Sequence, residues 1–241
     1  MASKVKYVAE TGSTNADILE ALQFRQKFDE GYWLITDRQT AGRGRQGRVW
    51  SDGAGNFMGS TVVTLQSGEY PGTSLNLPIS MAVRAALAEF VPDPAELMLK
   101  WPNDVLLRGA KVSGILMELH DFQVVVGIGV NIASAPEIPG RTTISVSDVT
   151  DNPPSRDSFA KRLMHHVANE IARWRSLGET GVRARWLGYA HPKGTHLIVH
   201  DREGDLLEGD FEGLTSGGAL QLKTEGGKIV TVHSGDILIR D

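Results

Sequence analysis

The sequence predicts an α+β fold that ends in a small antiparallel β-barrel. Strand-like runs in the first 190 residues are interrupted by two long amphipathic helical patterns, which is typical of a β-sheet with helices packed on it. Near residue 191 the pattern changes to short strand-like runs separated by glycine-containing turns. We therefore expect one domain over residues 1–190 and a second, small domain over residues 191–241.

The N-terminal quarter is predicted to contain three strands and one helix. Its strand-like runs lie at residues 4–9, 32–36 and 56–65. Between the first two runs, Thr14 and Asp17 fit a capping box, and Ile18 and Leu22 begin the apolar stripe of the helix that follows. The hydroxyl and N–H groups at such a helix start favour binding of an anion or a carbonyl oxygen.

The middle of the chain is predicted to add one helix and several strands. Leu77, Met81, Ala85 and Ala88 recur at spacings of three and four, which predicts a helix over residues 75–91. Strand-like runs follow at residues 97–101, 105–107, 111–119 and 122–132. The last run is almost continuously apolar apart from Gly127 and Gly129, the pattern of a central strand with close backbone packing.

The remaining chain is predicted to form one long helix and then the barrel. After an irregular stretch at 133–154, apolar residues at i, i+4 spacing predict a helix over 156–177, and a short helix follows around Val182 and Trp186. Five short strands are predicted for the barrel, at residues 196–199, 206–211, 219–223, 228–233 and 237–240.

Composition excludes several classes of protein. The chain has no cysteine, which excludes disulfides, thiolate nucleophiles and cysteine-ligated metals. A net charge of −4 disfavours a nucleic-acid partner, since such proteins are usually basic. The first ten residues lack the apolar segment of a signal peptide, and no stretch reaches the roughly 18 apolar residues of a membrane span. We expect a cytoplasmic protein that does not contact membranes.

The most unusual stretch is residues 37–50, where arginines alternate with glycines. It contains Arg38, Gly42, Arg43, Gly44, Arg45, Gly47, Arg48 and Trp50. Glycine at this density predicts a loop, and arginine side chains on a loop suit bidentate binding of phosphates or carboxylates. The three glycines also match the dinucleotide-binding pattern G-x-G-x-x-G, but no apolar helix follows them, so we reject that interpretation.

The other candidate side chains also indicate a cationic site. The sequence lacks a P-loop, a G-x-S-x-G nucleophile motif and an H-E-x-x-H zinc motif. Lys100 and Lys111 lie at predicted strand ends, and Asn103 and Asp104 follow a strand directly. Such positive charge suits a reaction between two anions, for example attack of a carboxylate on a nucleotide phosphate.

Five segments of the chain resemble, in order, the motifs of biotin–protein ligases. They are Ser13-Thr14-Asn15, residues 39–50, Lys100-Trp101-Pro102-Asn103-Asp104-Val105, residues 111–118 (Lys-Val-Ser-Gly-Ile-Leu-Met-Glu) and Gly127-Ile128-Gly129-Val130-Asn131. The resemblance runs from about residue 7 to the C-terminus. It implies a mixed central sheet of the class II synthetase-like type and an SH3-like C-terminal barrel. The implied reaction uses biotin and MgATP to form biotinyl-5′-AMP and pyrophosphate. A lysine of a biotin carboxyl carrier domain then attacks the mixed anhydride.

The resemblance also implies roles for individual residues. Those expected to bind biotin are Ser13, Thr14, Asn15, Gln39, Gly42, Arg43, Gly44, Arg45, Lys111 and Gly114. Those expected to bind the nucleotide are Arg45, Arg48, Trp50, Asn103, Asp104, Lys111 and Asn131. Lys111, which would bridge the biotin carboxylate and the α-phosphate, and Arg45, which would retain the adenylate, are the expected catalytic residues. Asp104 has two open roles, holding the pocket or the metal, and the Mg²⁺ ligands are otherwise unassigned.

Further expectations concern dynamics and partners. We expect residues 42–50 to be disordered or variable without ligand, because a glycine-rich lid can order over a hydrolysable adenylate. Only 12 residues precede Ser13, so we expect no DNA-binding domain. Related ligases often pair through a sheet edge, which makes a homodimer a candidate.

Two other functions stay open on the sequence alone. A lipoate– or octanoate–protein ligase would use the same chemistry with another acyl group. A nucleic-acid-binding module could combine an arginine loop with a small barrel, although the acidic composition disfavours it.

Overall fold

The computed structural model describes residues 4–51, 53–67, 69, 73–200 and 206–239, and they form two β-sheets with three α-helices. The strands of the larger sheet are β1 (Val5–Thr11), β2 (Trp33–Gln39), β3 (Phe57–Thr64), β4 (Leu97–Lys100), β5 (Asp104–Leu107), β6 (Ala110–His120) and β7 (Gln123–Val130). Their order is β1-β2-β3-β7-β6-β5-β4. β1 and β2 are parallel, and the other neighbours are antiparallel. The sheet is therefore mixed, as expected.

The helices cover the two faces of this sheet unequally. They are α1 (Thr14–Gln23), α2 (Thr73–Leu87) and α3 (Arg156–Leu187). Ile18 and Leu22 of α1 pack on one face, against Leu34, Val62 and Val125. Because side chains alternate along a strand, the neighbouring residues of the same strands face the other side, where α2 and α3 form the main core. The α1 face is thus less covered, which leaves room there for a site.

The start of α1 differs from the sequence prediction. The N-cap is Ser13, whose Oγ accepts from the backbone N–H of Ala16 at 3.5 Å, so the predicted pairing of Thr14 with Asp17 is wrong. Asp17 instead accepts a 2.5 Å hydrogen bond from Thr11 Oγ1. Thr14 lies in the first turn and points inward, since its hydroxyl has polar partners on neighbouring strands.

Two further helix boundaries can be compared with those predicted from the sequence. α2 ends at Leu87, not at residue 91, because the chain tightens into a turn in which Phe90 N donates to Leu87 O. Within α3, Gly178 has a φ of 64°, which interrupts the helical geometry. The predicted division into a helix over 156–177 and a second one around Val182 is therefore confirmed.

The smaller sheet is antiparallel and lies near the C-terminus. Its strands are β8 (His196–His200), β9 (Leu206–Leu214), β10 (Leu220–Lys223), β11 (Ile229–Val232) and β12 (Asp236–Ile239), in the order β11-β10-β9-β8-β12. The five predicted strands are confirmed, as expected for a small SH3-like domain. The predicted turn at 203–204 and the last predicted strand residue, Arg240, lie outside the described residues.

The two sheets are packed together. Trp101, which is 2% exposed, donates from Nε1 to the carbonyl of Gly218 at 3.0 Å. Leu197 and Phe211 of the smaller sheet belong to the same buried cluster as Leu99 of the larger one. None of the helices in the described part of the chain carries an apolar run long enough to span a bilayer.

Candidate active site

A cavity of about 460 Å³ opens on the α1 face of the larger sheet. It lies over β6 and β7, beside the C-terminal ends of β1 and β2, so residues distant in the sequence meet there. Every predicted site residue except Gly42 lines it. Gly42 does not line the cavity but packs against residues that do. A Cβ added to it would clash with the backbone carbonyl of Trp50 and crowd the side-chain amide of Gln39.

Three glycines form the floor of this cavity. Gly114 of β6 and Gly129 of β7 face each other across the two strands, and Gly127 lies two residues along β7. A Cβ on Gly127 would collide with the side chain of Asn15, and one on Gly129 would collide with the indole of Trp50. The absence of a side chain at Gly127 and Gly129 therefore lets Asn15 and Trp50 pack directly against the backbone of β7.

A chain of buried hydrogen bonds forms one end of the cavity. Thr14 Oγ1 and Ser60 Oγ are 2.6 Å apart, and Ser60 Oγ donates to Asn15 Oδ1 at 2.6 Å. Asn15 Nδ2 donates to Glu118 Oε2 at 2.9 Å. Since each hydroxyl has one proton, the chain runs in one direction, from Thr14 through Ser60 to Asn15. This direction fixes the orientation of the Asn15 amide.

The same end is tied to the strand that leads into the arginine loop. Gln39 Oε1 accepts from the backbone N–H of Thr14 at 2.9 Å and lies 3.1 Å from its hydroxyl. Arg43 Nη2 lies 3.3 Å from Glu118 Oε2. These polar groups form a compact set of fixed donors and acceptors, as recognition of a small polar head group requires.

The arginine-rich stretch is a loop with one turn of 3₁₀-helix at Arg45–Gly47. Gly44 N donates to Arg48 O at 2.7 Å, and Trp50 N donates to Gly42 O at 2.9 Å, so the loop folds back on itself. Gly47 has a φ of 72°, a conformation that glycine adopts without strain. The predicted loop is confirmed, with this short turn as an addition.

Lys111 lies at the other end of the cavity. Its Nζ is 2.6 Å from Asp104 Oδ1, and it lies 5.8 Å from the centroid of the Trp50 ring. Asn131 Nδ2 donates to the carbonyl of Ile144 at 3.2 Å and lies 3.5 Å from that of Lys111. The Asn131 amide nitrogen thus supports the backbone that carries Lys111.

The smaller sheet contributes an acid to the site. Asp236, at the start of β12, forms ion pairs with Arg48 and with Arg141, the latter at 3.2 Å. Burial opposes ionisation of this carboxyl group, but the hydrogen bond from Arg48 and the charges of Arg48 and Arg141 hold its pKa below the ordinary value. Arg45 also reaches this region, with Nη1 3.2 Å from Asn103 Oδ1 and 3.4 Å from the carbonyl of Gly235.

Sequence reasoning did not assign four of these residues: Ser60, Glu118, Arg141 and Asp236. Glu118 is the last residue of a segment that resembles a family motif. Its position therefore indicated the site, but nothing in the sequence assigned it a function. Ser60 lies within an ordinary strand, and Arg141 lies in an irregular stretch. Asp236 follows a serine–glycine turn in the other sheet, and no local pattern connects it to the arginine loop.

The described residues contain no group of three or more His, Cys, Asp or Glu side chains placed to hold a metal ion. A dedicated metal centre made of protein ligands is therefore not found in that part of the chain. Mg²⁺ usually needs only one or two carboxylates when phosphates supply other ligands.

Together these elements form one cavity over the mixed sheet, with a glycine floor and with arginine and lysine side chains around it. Residues 7–131 match the Biotin/lipoate A/B protein ligase family, and residues 197–240 match the Biotin protein ligase C terminal domain. The chain belongs to the biotin/lipoate A/B protein ligase family.

Individual relatives cover nearly the whole chain. It is 36% identical to a biotin–[acetyl-CoA-carboxylase] ligase of Paracoccus denitrificans, over 92% of this chain and 95% of the relative. It is also 36% identical to the ligase of that name from Mycobacterium tuberculosis, over 96% of this chain and 87% of the relative. The structure resembles that of the Aquifex aeolicus biotin protein ligase in complex with biotin and ATP, with a TM-score of 0.84, 26% identity and 99% of each chain covered.

Proposed function

We propose that this chain is a biotin–[acetyl-CoA-carboxylase] ligase. It activates biotin with MgATP to give biotinyl-5′-AMP and pyrophosphate, and then transfers biotin to a lysine of a carrier domain. The main support for the proposal is that one cavity has hydrogen-bonding side chains at one end and lysine and arginine side chains at the other. A hydrogen-bonding network around Asn15, which ends on the Glu118 carboxylate, faces an end that carries Lys111 and the arginine loop.

The polar end suits the ureido head of biotin. Ser13, Thr14, Asn15 and Gln39 are each less than about a tenth exposed, so their hydrogen bonds are formed away from bulk water. Arg43 and Gly44 flank this end, and Gly42 allows the loop to approach Gln39 closely. Gly114 lines the floor between the two ends, and its lack of a side chain lets the Trp50 ring and the end of Lys111 lie against the floor.

The cationic end suits the reacting carboxylate and phosphate. Lys111 bridges these two anions and lowers the barrier that their repulsion creates. Arg45 and Arg48 hold phosphate oxygens and retain the adenylate, as arginine geometry favours. Trp50 stacks on the adenine, while Asn103 and Asn131 complete the nucleotide wall; contacts from Asn103 to Arg45 and from Asn131 to the Lys111 strand support this arrangement.

Mg²⁺ fits the same site as a companion of ATP. Asp104 Oδ1 is buried in the wall, 2.6 Å from Lys111 Nζ, so this carboxylate lies beside the expected position of the phosphates. Asp104 would hold the ion, together with phosphate oxygens. When bound, Mg²⁺ neutralises charge on the triphosphate.

Biotin is favoured over lipoate as the acyl group. The match at residues 7–131 is to a family that includes both kinds of ligase, so it does not separate them. The match at 197–240 to a biotin protein ligase C-terminal domain, and the two relatives at 36% identity, support biotin.

The proposal extends to organisation and partners. We place the domain boundary at 190/191, between the end of α3 and the start of β8. The macromolecular partner is a biotin carboxyl carrier domain, in the cytoplasm. Absence of DNA binding and a homodimer remain predictions, which a gel shift and sedimentation equilibrium would test.

The direct test is biotin-dependent exchange of labelled pyrophosphate into ATP. We expect exchange with biotin and none with lipoate. Lys111→Ala should abolish adenylate formation, whereas Lys161→Ala, an exposed lysine on α3, should leave it unchanged. Exchange with lipoate but not biotin would overturn the proposal.

A further inference from the structure

A second cavity, of about 230 Å³, adjoins the main one. The two share Asn103, Asp104, Lys111, Arg141 and Asp236 as lining residues. Its volume is far above the roughly 10–15 Å³ that holds one water molecule. Its lining leaves out the three floor glycines and instead includes Lys100 and strand β12, so it extends away from the polar end of the main cavity.

Lys100 is the one lysine of this second cavity without an acidic partner of its own. Lys111 is paired with Asp104, and Arg141 is paired with Asp236. Lys100 lies opposite Asp104 in the β4–β5 pairing, yet among the described residues its ammonium forms no hydrogen bond or ion pair. A partly buried ammonium without a partner is unfavourable unless an anion joins it.

The electrostatic surroundings agree with this geometry. Burial lowers the pKa of Lys100; the charge of Asp104 opposes this effect, while Lys111 and Arg141 reinforce it. Asp236 also acts to raise the pKa. The two acids therefore do not fully offset the burial and the neighbouring cations, and an added anion would stabilise the charged lysine.

We propose that Lys100 binds the pyrophosphate that leaves during adenylate formation. This inference rests on the function proposed above. In that step a biotin carboxylate oxygen forms a bond to the α-phosphorus, and the bond from this phosphorus to the bridging oxygen of the β-phosphate breaks. The electron pair stays on pyrophosphate, and no proton transfer is required. The Lys100 ammonium donates hydrogen bonds to the β- and γ-phosphate oxygens.

The position of Lys111 explains why the two lysines have different roles. Lys111 lines both cavities, so the α-phosphate beside it lies at their junction. The acyl group extends from that point toward the glycine floor. The remaining two phosphates then extend toward Lys100, in the second cavity. Lys100 contacts the substrate before the bond breaks and the product after it.

The test separates the two half-reactions of the full-length protein. We expect Lys100→Met to raise the KM for pyrophosphate in biotin-dependent exchange about 10- to 100-fold, the size expected for loss of a charge-assisted hydrogen bond. Transfer from added biotinyl-5′-AMP to a carrier domain should stay within about twofold of wild type, because pyrophosphate takes no part in it. Lys100→Arg should restore much of the exchange.

Lys161→Met, which removes an exposed lysine on α3, is the matched control and should change neither half-reaction. An unchanged KM for pyrophosphate in Lys100→Met would overturn the inference. Equal loss of both half-reactions, with a lower melting temperature, would also overturn it and would assign Lys100 a structural role. If the wild-type protein shows no biotin-dependent exchange, the proposed function itself fails, which is a different result.

Discussion

Ser60 Oγ donates a 2.6 Å hydrogen bond to Asn15 Oδ1, and this contact joins the middle of β3 to the start of α1. It sets which side of the Asn15 amide carries the oxygen. Because Asn15 Nδ2 then donates to Glu118, Ser60 sets the direction of the hydrogen bonds that run from β3 through α1 to β6.

Replacing Ser60 by alanine should therefore weaken biotin binding. Asn15 Oδ1 would lose its buried donor, which costs about 1–3 kcal/mol and corresponds to a rise in the KM for biotin of roughly 5- to 160-fold. The KM for ATP should change little. The adjacent Thr61, whose Oγ1 donates to the carbonyl of Tyr32 at 2.8 Å on the other sheet face, gives a matched control as Thr61→Val. Similar biotin KM values for the two variants would contradict this role of Ser60.

Asp236→Asn should accelerate loss of the adenylate from the enzyme. The carboxylate anchors Arg48 of the loop and Arg141, and the neutral amide would hold both less strongly. We expect biotinyl-5′-AMP to dissociate about 5- to 10-fold faster, measured by release of labelled adenylate after gel filtration. Asp210→Asn, an exposed change in β9, should have no effect. An unchanged release rate in Asp236→Asn would mean that the smaller sheet does not help to retain the intermediate.

His191 should make stability depend on pH below neutrality. Burial, together with the charge of Lys100, lowers the pKa of His191 to about 4, and the ring is 2% exposed against Phe211. In the unfolded chain this histidine has a pKa of about 6.5, so the unfolded state binds the proton first as the pH falls. Stability is thus complete above about pH 6.5 and is lost toward pH 4, by at most about 3 kcal/mol.

Thermal unfolding of His191→Leu between pH 7 and pH 4 checks this expectation. The variant should show a flatter dependence of melting temperature on pH than the wild type, whatever its absolute stability. His200→Leu, which removes an exposed histidine in β8, should keep the wild-type slope. Parallel curves for wild type and His191→Leu would show that another group controls the effect.

Residues 42–50 should exchange their amide hydrogens faster without ligand than with biotin and MgATP. The loop has few internal hydrogen bonds, chiefly Gly44 N to Arg48 O and Trp50 N to Gly42 O, and phosphates would add contacts to its arginines. Hydrogen exchange followed by mass spectrometry measures the difference, with β7 as the internal reference. Equal exchange in the two states would show that the loop is already ordered.

Much of the fold could be predicted from local patterns. The apolar run of β7, the stripe of α1 and the glycine turns of the smaller sheet each follow from residues close in sequence. The predicted cap of α1 was wrong because Thr14 is bonded to residues distant in the sequence: its backbone N–H donates to Gln39 Oε1, and its hydroxyl pairs with Ser60. Ser13 and Thr14 both suit an N-cap position by residue type, and the tertiary contacts of Thr14 leave Ser13 as the cap.

The sequence by itself determined the family resemblance, the arginine loop and the candidate residues from Ser13 to Asn131, because these depend on residue type and spacing. Only the tertiary structure decided that Ser60 orients Asn15, that Asp236 anchors Arg48, and that Lys100 lines a second cavity beside Lys111. Strand register and the packing of the two sheets fix these relationships. Both arise from burial summed over the whole chain, which no local stretch specifies.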